Sequence, residues 1–82
     1  MNIKFLHKKI KIVLKKTFKI SENKISIKSS HKTIPNWDSV SHLNLIIEIE
    51  KNFKVKVKPE EAYKLDNFEA ILKFLKKEKI KI

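Results

Sequence analysis

Asp38, Ser39 and His42 are the residues whose types and spacing could do chemistry. On a helix, a histidine three residues after a serine lies close to it on the same side, which is how a nucleophile and its base could meet. The remaining parts of a hydrolytic site are missing. No carboxylate stands at a recognisable spacing to orient His42, and a chain with no glycine cannot form the Gly-x-Ser-x-Gly elbow. The expectation is therefore a protein that is not an enzyme. His7 and His31 lie apart from any ligand cluster and cysteine is absent, so no metal site or disulfide is expected. What remains for Asp38 and Ser39 is the start of a helix. Both types are ordinary caps, and the unpaired N–H groups and positive dipole end there favour a negative group.

The element that carries them enters after Pro35, which biases the residue before it away from helix. From Asp38 or Ser39 the spacing predicts a helix to Asn52 or Phe53, with two apolar stripes. Leu45, Ile46, Ile49 and Phe53 form a broad face suited to a core. Val40, Leu43 and Ile47, at i, i+3 and i+7, form a second face beside Ser39. One stripe suffices to hold a helix down, so the second implies either a fully surrounded helix or a surface kept for a partner.

Before it, residues 3 to 18 read as a helix, with Ile3, Leu6, Ile10, Val13, Leu14 and Phe18 at three- and four-residue spacing and lysines opposite. Residues 19 to 36 read as a long ordered loop pinned by Ile20, Ile25, Ile27 and Ile34. Ile25 to Lys28 alternates like a strand but has no clear partner. After Phe53, the run Lys54 to Lys58 also alternates; its brevity and Pro59 favour an extended link with Val55 or Val57 buried. Pro59, Glu60 and Glu61 suit the first turn of a short third helix reaching Tyr63. Asp66 and Glu69 have capping-box spacing for a fourth helix bearing Phe68, Ile71, Leu72 and Leu75, and the tail from Glu78 is expected to fray.

The order Asp38-Ser39-Val40, an apolar helix to Phe53, a Val-containing link, Pro59-Glu60-Glu61-Ala62 and a last amphipathic helix resembles the acyl carrier protein family. The likeness spans nearly the whole chain and is strongest from Trp37 to Leu75. It implies an all-α fold, a four-helix bundle with a long loop between helices one and two and a short third helix. By the same resemblance, Ser39 carries 4'-phosphopantetheine taken from coenzyme A. Asp38 helps a phosphopantetheinyl transferase orient the serine, and Val40, Leu43 and Ile47 dock partner enzymes that load or accept acyl or aminoacyl groups. Glu48 and Glu50 stand for the family's acidic docking residues, and His42 is either a packing residue or a contact to the prosthetic group. Three departures point to a specialised stand-alone carrier: Val40 replaces the commoner leucine, Trp37 replaces the small residue often found before the Asp, and the family's fatty-acid carriers are acidic, whereas this chain has a formal net charge of +11.

Eighty-two residues allow one domain with a thin core, 1–82, expected to be monomeric. All twenty basic residues are lysine, a bias in keeping with a genome poor in G and C. Their placement is uneven: residues 1 to 32 hold ten lysines against Glu22 alone, while 33 to 69 hold five against seven acids. Lysine without arginine or interleaved aromatics is poor support for base recognition, so nucleic acid is not expected as a partner. A small basic module binding nucleic acid or an acidic protein is the alternative to a carrier. No apolar run is long enough to span a bilayer, and early lysines interrupt any signal-peptide core, so a cytoplasmic location is expected.

Overall fold

The computed structural model describes residues 3–78, and the side chain of Ile3 lies outside that description. Four α-helices account for the regular structure: α1 (Ile3–Phe18), α2 (Ser39–Phe53), α3 (Pro59–Ala62) and α4 (Phe68–Lys77). Among the described residues no strand forms, and the fold is all-α. The expectation of a frayed tail falls largely on residues 79–82, outside the described part.

Each helix forms where its sequence period and caps direct. α1 buries Leu6, Ile10, Val13, Leu14 and Phe18 along one side and packs on both α2 and α4. Because the chain lacks glycine, lysines take the left-handed positions that end two helices: Lys19 after α1 (φ 54°) and Lys54 after α2 (φ 53°). Burial of Leu45, Ile46, Ile49 and Phe53 holds α2 against this core, as its first stripe predicts. The link after Lys54 is extended, with Val55 and Val57 both half-buried against the core. Pro59 opens α3 and leaves no N–H unpaired where the helix could not use one.

The capping assignment for α4 needs correction. Asn67, not Asp66, is the N-cap: its side-chain oxygen accepts from the Ala70 amide at 2.8 Å. Asp66 instead accepts from Asn67 Nδ2 at 2.9 Å. The start of α4 is also tied to the long loop. The Phe68 amide donates to Ser29 O at 2.9 Å and the His31 amide donates to Asp66 O at 2.9 Å, an antiparallel bridge around Ser30 and Asn67. One of the unpaired N–H groups of a helix start is thus satisfied from 39 residues away.

In the long loop itself, Ile25 and Ile34 are buried and Ile20 is half-buried, as expected of anchors. Ile27 is not an anchor: it is 42% exposed, because the turn at Ile27-Lys28 points it outward. Hydroxyls take over much of the pinning. Ser29 Oγ, buried, accepts from the Ser26 amide, and Thr33 Oγ1 accepts from the Ser30 amide. A single 3-10 turn, Glu22–Lys24, adds local order.

Candidate functional site

Trp37 organises the start of α2. Its ring is buried and lies against Phe18 at the end of α1, centroids 4.6 Å apart and planes 30° apart. Its indole N–H donates to His42 Nδ1 at 3.0 Å. His42 Nε2 then lies 2.8 Å from the carbonyl of Ala62 in α3. A carbonyl can only accept, so Nε2 carries the proton, and Nδ1 is left free to accept from the indole. Both contacts fix one neutral tautomer and connect α1, α2 and α3 through two side chains. With both nitrogens occupied, His42 is a strut, and it is not placed to take a proton from Ser39. Only its ring remains to face a group attached to the serine.

Immediately after Trp37, Asp38 leaves the helical region (φ −107°, ψ −175°) and caps α2, its Oδ1 accepting from the Ser41 amide at 2.9 Å. That bond holds the Asp38 carboxyl below its ordinary value, against a smaller opposing effect of desolvation. Ser39 follows as the first helical residue. It is exposed, and no hydrogen bond among the described residues ties its hydroxyl. An oxygen there stands beside the first-turn amides, where negative charge is stabilised.

Two surfaces meet at this serine. Along α2, Val40, Leu43 and Ile47 are 69%, 65% and 54% exposed, so the second stripe is a free apolar face rather than a second core contact. On the other side an open cleft of about 550 Å³ is lined by Trp37, Asp38, Ser39, His42, Leu43, His31, Tyr63 and Asp66. His31 and Asp66 form its far rim, with Nδ1 and Oδ2 3.4 Å apart. Among the described residues, no lysine lines this cleft.

Of the acidic residues expected to meet partners, Glu48 is half-buried and holds Asn52 Nδ2 at 3.2 Å. Glu50 has a task inside the chain: its Oε2 accepts from the Val57 amide at 2.9 Å and ties the link to α2. Residue types and spacing alone do not reveal Trp37 as the post of the site, nor His31, Tyr63 and Asp66 around the cleft. An indole beside a helix start, with an N–H that must find an acceptor when buried, was the available signal for the first. His31 and Asp66 arrive through the loop-to-α4 bridge, which no local pattern announces, and Tyr63 arrives at the end of α3. Among the described residues no cluster of ligating side chains could hold a metal ion.

No model of a known protein family matches the chain, and no curated protein matches it either. The functional reading therefore rests on the residues and their geometry.

Proposed function

We propose that this chain is a carrier protein with an acyl-carrier-like helical arrangement, modified on Ser39 with 4'-phosphopantetheine. The observation that carries the reading is an exposed, untied hydroxyl at the first residue of α2, capped by Asp38 and flanked by a free apolar stripe. In the modification, Ser39 Oγ forms a bond to the phosphate of coenzyme A that bears the pantetheine arm. The bond from that phosphate to the rest of the nucleotide breaks, and 3',5'-ADP leaves. The bound arm supplies a thiol that holds acyl or aminoacyl cargo as a thioester, so a protein without cysteine can carry it.

Each neighbouring residue has a part that its position supports. The first-turn amides of α2 receive the phosphodiester charge. Asp38 keeps those amides ordered and is the carboxylate a phosphopantetheinyl transferase meets beside the serine. Val40, Leu43 and Ile47 are the surface on which that transferase and the loading and accepting enzymes dock. Trp37 and His42 hold the serine's helix at a fixed angle to α1 and α3 and offer ring surface to the arm. Chemistry on the cargo belongs to the partners.

The test is intact mass after incubation with coenzyme A and a broad-specificity phosphopantetheinyl transferase. One added phosphopantetheine, abolished by Ser39→Ala, is the expected result. No added mass with several such transferases, or equal addition to the Ser39→Ala protein, overturns the reading.

A further inference from the structure

The outer face of α1 has a pattern that neither the core nor the Ser39 site uses. α1 contains six lysines and no acid. On that face Phe5 and Ile12 remain 44% and 40% exposed, seven residues apart and about 10 Å along the axis. The helical neighbours of Ile12 at i−4, i−3, i+3 and i+4 are Lys8, Lys9, Lys15 and Lys16. Lysine stems can cover an apolar neighbour while their ammonium groups reach water. Here they leave Ile12 open. Lys9 leans toward the core side, its ammonium 5.9 Å from the Phe53 ring, while Lys8, Lys15 and Lys16 are exposed.

We infer that this face of α1 docks on an anionic lipid bilayer. A bilayer surface accepts both halves of the pattern at once: its negative headgroups meet the lysines, and the apolar residues enter the boundary below them. A nucleic acid backbone would meet the lysines but offers Phe5 and Ile12 nothing comparable, and the absence of arginine removes the bidentate contacts that favour phosphodiesters. No helix of the described residues is long and apolar enough to cross a membrane, so the association is peripheral. The buried side of α1 faces α2 and α4, and the free stripe of α2 faces away from that shared core. Docking by α1 therefore leaves Ser39 and its stripe open to partners. This inference does not depend on Ser39 being modified.

The experiment is sedimentation of the full chain with vesicles of phosphatidylcholine alone and of equal parts phosphatidylcholine and phosphatidylserine, at low and high salt. Binding to the anionic vesicles only, weakened by salt, is expected. The Lys8→Gln/Lys15→Gln/Lys16→Gln protein should bind about a hundredfold more weakly, taking each lysine near the surface as about fivefold. Ile12→Ser should cost roughly fivefold, whereas Lys73→Gln/Lys76→Gln/Lys77→Gln on α4 should bind as the parent does. Ser39→Ala should also bind unchanged, which separates this outcome from that of the carrier reading. Circular dichroism confirms that each variant remains helical. Equal loss from the α4 triple variant would reduce the effect to overall charge and overturn the inference. So would indifference to the anionic lipid, or tighter binding of duplex or single-stranded oligonucleotides through the same lysines.

Discussion

Replacing Trp37 with phenylalanine tests the strut that fixes the start of α2. Phenylalanine keeps an aromatic face for Phe18 but removes the N–H that His42 Nδ1 accepts at 3.0 Å. His42 is half-buried, so water can replace only part of that bond, a loss of about 1 kcal/mol. The smaller ring gives up roughly 40 Å² of buried apolar surface, worth about another 1 kcal/mol. The sum, near 2 kcal/mol, is large against the roughly 4–12 kcal/mol available to a chain of this size. It should lower the melting temperature by roughly 8–16 °C, read by far-ultraviolet circular dichroism. A double-mutant cycle with His42→Phe isolates the bond, and a coupling of about 1 kcal/mol is expected. Nitrogen chemical shifts of His42 should show Nε2 protonated and Nδ1 bare. Zero coupling, or the opposite tautomer, would refute the strut.

Other predictions follow from the same geometry. Lys54→Gly relieves a left-handed lysine at the end of α2 and should stabilise the protein by about 1 kcal/mol in urea titration, whereas Lys51→Gly inside the helix should destabilise it by a similar amount. Asp38 has a carboxyl held below its ordinary value by the Ser41 amide, so its ionised form stabilises the fold above the unfolded value of about 3.8. That contribution should fade as pH falls through the lower folded value, and unfolding followed between neutral and acid pH should show a shallower acid loss for Asp38→Asn, which keeps an acceptor for the cap without the charge. Leu43→Ser and Ile47→Ser remove exposed side chains, so melting should change little. If the stripe docks partners, the rate at which a transferase modifies the protein should fall about tenfold for the pair, and an unchanged rate counts against it.

The helices were legible because their apolar periods and stop signals are local. α1, the core stripe of α2 and Pro59 at the head of α3 needed no tertiary information. Which of two adjacent polar residues caps α4 was not legible. Asp66 and Asn67 are both good caps, and the bridge from Ser29 and His31 fixes the backbone so that Asn67 faces the Ala70 amide. Ile27 misled because alternation alone cannot tell which isoleucine of a loop turns inward. At the site, Asp38 and Ser39 at a helix start and a second apolar stripe beside them could be read from residue types, but whether that stripe is covered or exposed could not. The role of His42 could not, since it depends on an indole from the loop and a carbonyl from α3 reaching one ring. Likewise Glu50 reads as a surface acid until the Val57 amide is seen to hold it.

The most direct measurement is fragmentation mass spectrometry of the protein isolated from its native cell, with the peptide spanning Ser39 sequenced. A phosphopantetheine on Ser39, with or without a thioester-bound acyl group at its end, is the expected result. A Ser39 peptide found only in its unmodified form, or the arm found on another residue, would contradict it.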